Sequence, residues 1–499
     1  MPGNPEAPAP RAPRITAQVL AAAHGCERRL WLRQHSPALA SPVSDHGHML
    51  RERGEEHERA IAARFEGLVG PIWKRDGSFA DAIAESLRQL TGSRAPLWQP
   101  AFATPDGRRS AQPDFTYWDG GQLVVVEARL ALRPAQRGDL ALQLAHCRHV
   151  IAAATGLVPA RFEVVSGSGG TVVIEPARED EYERAVREAE AVLGSEAEPD
   201  LLLAHSTCKR CMFYAHCWDR AERERRIEIL PEVLAADVPD YHALGVRTIE
   251  QLAQLDPRRL PRGPQRAAAT RAVRVAGAWR DNRPEWLAPP RLPAAPAVFF
   301  DVEGDARGED SEVPIYLWGV GLEDGKGEPR ALSVLAGVDA DGDRRGWEAF
   351  LARAAELLDA HPHARWLHWD SSEPLWVKRY TERLGAPAGL SERLLAACFD
   401  LKRELDRCVR LPLRSYSIKY VAPWMGFEWR NPESGSEWSL ARFHRARQSA
   451  DPLEREQLLA EVAEYNADDL WAMRAVWRWL REHGASAAAV AAPRTPPVA

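Results

Sequence analysis

Two carboxylates stand two residues apart in Asp301-Val302-Glu303, directly after the apolar run Ala297-Val298-Phe299-Phe300. On a β-strand, positions i and i+2 share a face, so both acids point one way. Paired acids at a strand end beside Gly304 suit a divalent cation, whose hard charge needs several oxygens to converge without bulk between them. Far downstream, Tyr465 and Asp469 in Glu464-Tyr465-Asn466-Ala467-Asp468-Asp469 are one helical turn apart, which puts a phenol and a carboxylate on one helix face. Between these motifs, His368-Trp369-Asp370-Ser371-Ser372-Glu373 and Phe399-Asp400-Leu401 supply a further acid. A second chemistry is written in thiols: Cys208, Cys211 and Cys217 fall within ten residues, and Cys26 stands far upstream. One early and three late thiolates can close the two ends of a domain around a metal.

The elements that must hold these residues follow from periodicity. From Thr16 to about Leu90 the pattern is mostly helical, as in the stretch Gly54 to Phe65. The period then changes: residues 98–130 read as strands with a hairpin at Asp119-Gly120-Gly121 and a buried strand over Leu123 to Val126. A helix through Gln143 and Ile151 follows, then strands near Phe162 to Val165 and Val172 to Ile174. Residues 226–290 are helical and punctuated by Pro and Gly. Within them Leu244 to Leu252 has a helix-hairpin-helix form with Thr248 as cap. The Pro-rich joint PPRLPAAPA precedes a second α/β segment from Val298 to about Glu482. The expected domains are 14–225, 226–290 and 291–485, with Pro/Ala-rich tails at 1–13 and 486–499.

Composition narrows the function. The 499 residues are 45% hydrophobic and 27% charged, ordinary for globular protein and enough for two to four domains. A formal charge of −6 builds no bulk attraction to nucleic acid or to anionic membrane, so any nucleic-acid site is local. No apolar run of about 18 residues occurs, and the first residues lack the apolar core of a signal peptide. The cytoplasm is the expected compartment, and seven cysteines there are thiols or metal ligands. Only six lysines accompany 59 arginines, so the chain uses Arg almost wherever it needs a cation.

Asp-x-Glu on a first strand, an acid after a middle strand and Tyr-x-x-x-Asp on a late helix resemble the DEDD 3′–5′ exonucleases of the ribonuclease H-like fold, over residues 296–482. The resemblance implies a mixed sheet with flanking helices, and two ions, Mg²⁺ or Mn²⁺, held by Asp301, Glu303, Asp469 and one middle acid. Glu373 is the preferred middle ligand, with Asp370 and Asp400 as alternatives; His368 with Glu373 stands where that family has Asn and Asp. The implied chemistry is phosphodiester hydrolysis by two metals about 3.5–4 Å apart, with Tyr465 orienting or helping to deprotonate the attacking water.

The cysteine arrangement resembles RecB-type nucleases that carry an iron–sulfur cluster. Cys26, Cys208, Cys211 and Cys217 would hold a [4Fe–4S] cluster; a four-cysteine Zn²⁺ site uses the same ligands, and a three-cysteine site with His205 or His216 is a further arrangement. The same resemblance assigns His57, Asp114 and Glu127 to metal binding, and places Gln143 on the next helix. The lysine of that family is Arg129 here, whose guanidinium keeps its proton and presents a fork rather than a point charge. The site then reads either as a working nuclease or as a DNA-binding remnant.

Taken together, the chain resembles a family of predicted RecB-like nucleases with a ribonuclease H-like second domain. Its expected fold is two α/β nuclease-like domains, one restriction-endonuclease-like and one ribonuclease H-like, joined by a small helical segment. The expected function is a metal-dependent nuclease on DNA, at single strands or 3′ ends, serving repair. The alternatives are a ribonuclease, or a non-catalytic nucleic-acid-binding scaffold with a structural metal. No Walker motif occurs, so unwinding would fall to a separate helicase.

Overall fold

The computed structural model describes residues 14–73, 77–131, 137–167, 169–259, 264–305, 313–339 and 341–487. Of the expected tails at 1–13 and 486–499, residues 1–13 and 488–499 lie outside these. The last helix runs to Ala487, two residues into the segment read from sequence as tail.

Short polar caps start the first helices: Thr16, Ser44 and Ser78 side chains accept from the backbone N–H three residues on, opening α1 (Ala17–Gly25), α3 (Asp45–Ala62) and α4 (Phe79–Arg88), with α2 (Glu27–His35) between the first two. Strands β1 (Leu97–Trp98), β2 (Phe102–Ala103), β3 (Ser110–Ala111), β4 (Phe115–Asp119) and β5 (Gln122–Arg129) follow. Helix α5 (Arg137–Thr155), β6 (Arg161–Ser166), β7 (Thr171–Val173) and α6 (Glu179–Leu193) complete the series. Five of these strands form one sheet in the order β1-β4-β5-β6-β7; β5 and β6 are parallel. The expected β4–β5 hairpin turns on Gly120 and Gly121, whose φ of 54° and 84° are left-handed values that a two-residue loop demands and glycine meets without strain.

Alternation along β5 decides what each face can carry. Leu123 and Val125 pack against Leu140, Leu144, Cys147 and Ile151 of α5. Val124, Val126 and Ala128 pack with Ile61 of α3 and Phe115. Glu127 and Arg129 therefore fall on the α5 side, where Gln143 waits. Each fully buried Val or Leu in this sandwich contributes roughly 1.5–3 kcal/mol, which is how the sheet can carry a buried carboxylate.

The late cysteines lie around two short helices, α7 (His205–Cys208) and α8 (Tyr214–Arg223). Helices α9 (Val238–Ala243), α10 (Ile249–Ala253) and α11 (Pro264–Asp281) follow. Thr248 caps α10 in a reciprocal box with Gln251, and Gly245 makes the turn before it at φ 77°. The compact units divide the chain as Met1–Leu201 with Arg210–His216, and Leu202–Lys209 with Cys217–Ala499. The helical segment thus belongs to the same unit as the second α/β segment.

That unit is built on β9 (Ala297–Gly304), after β8 (Glu285–Trp286). Its further strands are β10 (Ile315–Glu323), β11 (Arg330–Ala331), β12 (Val334–Leu335), β13 (Arg365–His368), β14 (Cys398–Asp400) and β15 (Val409–Arg410). Interspersed are α12 (Gly342–Ala360), α13 (Ser372–Leu384), α14 (Leu390–Ala397), α15 (Leu401–Cys408), α16 (Ile418–Trp424), α17 (Ser436–Gln448) and α18 (Pro452–Ala487). The mixed sheet runs β11-β10-β9-β13-β14 with β12 also on β10, antiparallel at β9–β10 and parallel at β9–β13 and β13–β14. Val298 and Phe300 face a core with Trp318, Trp347, Phe350 and Trp366. Ala297 and Phe299 face Leu470, Met473, Val476 and Trp477 of α18. The period of two carries this second face on to Asp301 and Glu303, so the strand acids look toward the helix of Asp469. The molecule is α/β throughout, with one such sheet in each unit.

Candidate active site

On that face, carboxylate oxygens of Asp301, Glu303 and Asp469 all lie within 4.8 Å of one another. Glu303 and Asp469 are buried and Asp301 is half-buried. Burial and mutual repulsion hold the carboxyls of Asp301 and Glu303 well above the ordinary acid range. Asp469 is raised too, by burial, with Lys419 pulling the other way. Three acids crowded together against this cost could hold a metal ion, and their all-oxygen set suits Mg²⁺ or Mn²⁺.

The long helix α18 delivers three more groups. Tyr465, one turn before Asp469, donates its hydroxyl to that carboxylate, and burial with the surrounding acids holds the phenol well above its usual range. Asn466 donates Nδ2 to Asp301 Oδ2 at 2.8 Å and accepts from Ser333 Oγ at 3.0 Å. Asp468 turns aside to pair with Arg430 at 2.8 Å. From β10, the Tyr316 hydroxyl lies 3.4 Å from Glu303 and 3.0 Å from Ser439 Oγ.

Sequence reasoning did not single out Lys419, yet its Nζ lies 2.8 Å from Asp469 Oδ1. Trp429 Nε1 donates to the same oxygen at 2.7 Å. The ammonium sits over the rings of Trp429 and Tyr465, 4.2 and 4.3 Å from their centres. Beside Tyr465 opens a cavity of about 350 Å³, lined by Trp438, Arg442, Asn431, Ser434 and Asp468 among others. Arg442 stacks 4.3 Å over Trp438. Trp429 and Trp438 thus both stand beside the acidic cluster.

The middle acids separate clearly. Glu373, at the start of α13, is buried; its charge raises Asp301 and Glu303, although its oxygens are outside the close group of three. Ser372 Oγ bonds Oε1 at 2.9 Å, and Oε2 lies 3.6 Å from Nδ1 of His368 with no hydrogen-bond partner among the described residues. A buried carboxylate oxygen without a hydrogen-bond partner beside three crowded acids is a donor that a divalent cation would satisfy. Asp370 instead pairs with Lys402 at 2.8 Å, and Asp400 caps α15 through the Arg403 N–H.

In the first unit, Asp114 Oδ2 accepts from the Ala128 N–H at 2.7 Å, which brings it to the end of β5 beside Glu127. Glu127 Oε2 takes Gln143 Nε2 at 2.6 Å and Arg129 Nη2 at 3.1 Å, and Arg129 also reaches Gln143 Oε1 at 2.7 Å. Glu127 Oε1 is buried without a hydrogen-bond partner among the described residues. Burial and Asp114 push Glu127 up to about 8, and burial and Glu58 push Asp114 up to about 6. His57 Nε2 bonds the Val165 carbonyl at 3.0 Å, and His57, Asp114 and Glu127, expected from sequence to share a metal, do not bring their ligand atoms into one close group. Glu58 is a further acid of this group that sequence reasoning left out; Gln99 holds it at 2.9 Å.

None of the seven cysteines is in a disulfide. Cys26 joins α1 to α2, Cys208 ends α7 with its sulfur 3.3 Å from the Ala204 N–H, Cys211 lies in the turn that follows and Cys217 on α8; all four are half-buried. Among the described residues the other convergence of ligating groups is His149, Glu179 and Glu183, which Arg109 already occupies by pairing with Glu183 at 2.8 Å. No helix of the described residues is long and apolar enough to cross a membrane.

Residues 298–481 match the family RNase_H_2, described as RNase_H superfamily. No curated protein matches the chain. A solved structure, "Crystal structure of SSO0001", aligns at 13% identity over 42% of this chain and 86% of that one, with a TM-score of 0.24, too slight a likeness to assign a fold. The C-terminal segment is therefore a ribonuclease H-like, nuclease-type domain, and the class of substrate that goes with it is nucleic acid.

Proposed function

We propose that the protein is a metal-dependent nuclease whose active centre is the cluster of Asp301, Glu303 and Asp469, with Glu373 as outer acid. The observation that carries this is the convergence of three carboxylates within 4.8 Å inside a domain matched to the RNase_H superfamily. Bound Mg²⁺ or Mn²⁺ supplies the charge stabilisation of phosphoryl transfer. The chain's residues do the rest. Asp301, Glu303 and Asp469 fix the cation, Asn466 holds Asp301 in place, and Tyr465 as a neutral phenol orients rather than deprotonates water. In the reaction a water oxygen bonds to phosphorus, the ester P–O bond breaks, the water's proton passes to solvent and the leaving oxygen takes one back.

The substrate favoured is DNA with an unpaired 3′ end, digested 3′ to 5′. The motif order of the DEDD exonucleases supports this, as does the half-buried Trp438, which lines the cavity beside Tyr465 and offers a ring on which an unpaired base can stack. The first unit reads as a RecB-like domain. Asp114, Glu127, Arg129 and Gln143 form its polar centre, and Cys26, Cys208, Cys211 and Cys217 are proposed ligands of a [4Fe–4S] cluster. Because Arg129 ties Glu127 to Gln143, binding of DNA without cleavage is the reading favoured for that unit.

The test uses end-labelled single- and double-stranded DNA and RNA in Mn²⁺, with product length followed over time. Wild type is expected to shorten single-stranded DNA from its 3′ end, and Asp301→Ala or Asp469→Ala to stop it. Equal activity in either variant removes the assignment.

A further inference from the structure

The proposed hydrolysis does not explain why Lys419 stands at the acidic cluster. Asp469 Oδ1 accepts from both Lys419 Nζ and Trp429 Nε1, at 2.8 and 2.7 Å. A carboxylate oxygen has two lone pairs in its plane, so this oxygen is filled. A divalent ion binding there would have to evict the ammonium. The lysine is also held from outside. Trp429 and Tyr465 flank it with their rings, and cation–π attraction of this kind offsets the loss of water around the charge. The residue type points the same way. In a chain with 59 arginines and six lysines, the group at this oxygen is a compact ammonium, nearer to a metal ion in its point charge than a guanidinium fork. On the far side, Glu373 keeps out of the close group, so the cluster has three near acids rather than the four that two ions would share.

We infer that Lys419 is the resident second cation of this site: the cluster holds one divalent ion, between Asp301, Glu303 and the remaining oxygen of Asp469, and the Lys419 ammonium takes the position and charge of the other. This rests on reading the cluster as a divalent-cation site.

The experiment counts ions on the full chain by Mn²⁺ titration calorimetry and electron paramagnetic resonance, taking only the binding that Asp301→Ala removes. Wild type is expected to lose one ion and to show isolated Mn²⁺; Lys419→Met in the intact site is expected to bind two and to show a spin-coupled pair. A coupled pair in wild type, or one ion in both proteins, overturns the inference. Should Asp301→Ala remove no ion from wild type, the cation-site reading itself fails, a result distinct from both. If Lys419→Met does not fold, anomalous diffraction from Mn²⁺-soaked wild-type crystals decides: one peak with Lys419 still on Asp469 supports the inference, and two peaks overturn it.

Discussion

A methyl group on Gly319 would sit 2.4 Å from Oδ1 of Asn466. Gly319 is the β10 residue paired with Asp301 across the sheet, so its missing side chain is the gap through which Asn466 of α18 reaches that acid. Asn466 cannot step aside without losing Asp301 or Ser333. Gly319→Ala is therefore expected to cost about 1–3 kcal/mol of stability by overpacking and to weaken metal-dependent hydrolysis. Adding Asn466→Ala should restore the stability and leave the activity low. Urea denaturation beside a nuclease assay checks both, and an unchanged midpoint in Gly319→Ala would mean the contact is not fixed.

Stability of the metal-free protein should depend on pH through Glu127. Its folded value of about 8 is above the ordinary glutamate value of 4.5, so between these the folded state holds a proton that the unfolded state has released. The contribution is complete below about pH 4.5 and is lost as pH rises through 8. Asp114, at about 6, acts in the same direction. In chelator, the urea midpoint of wild type should fall across this window more steeply than that of Glu127→Gln. Parallel slopes would show that Glu127 is not buried as the structure has it.

What the sequence made legible was local. Asp301 and Glu303 share a strand face, and Tyr465 and Asp469 share a helix face, because the periods of two and 3.6 are properties of the backbone itself. The Gly120-Gly121 hairpin is likewise a local demand on φ. Lys419 and Trp429 were not legible, since each meets Asp469 from 50 and 40 residues away and no period encodes that distance. The available signal was compositional, a lysine in a chain that otherwise writes Arg. Asp370 and Asp400 could not be told from Glu373 by spacing; only the fold shows one paired with Lys402 and one spent on a helix cap.

The cysteines can be tested without any assay of activity. If Cys26, Cys208, Cys211 and Cys217 hold a [4Fe–4S] cluster, protein purified without oxygen is brown and absorbs broadly in the visible through sulfur-to-iron charge transfer. Cys208→Ser and Cys217→Ser should then be colourless and low in iron. Colourless wild type with stoichiometric zinc would replace the cluster with a tetrahedral site.

Arg129 makes the first unit's site a question of one side chain. Its guanidinium bonds Glu127 and Gln143 together, and it carries a charge that cannot be withdrawn. A lysine there reaches one partner at a time, which frees Glu127 for a divalent ion, and its point charge can stabilise an attacking hydroxide and the phosphate. In an Asp301→Ala background, which silences the other centre, Arg129→Lys is therefore expected to raise Mn²⁺-dependent cleavage of DNA tenfold or more, roughly the 1.4 kcal/mol worth of one well-placed charge. Asp114→Ala in the same chain should abolish the gain. Cleavage that stays at the background level in Arg129→Lys would place the defect elsewhere in the site, with the buried Cys147, whose thiol feels the Glu127 charge, as the next residue to change.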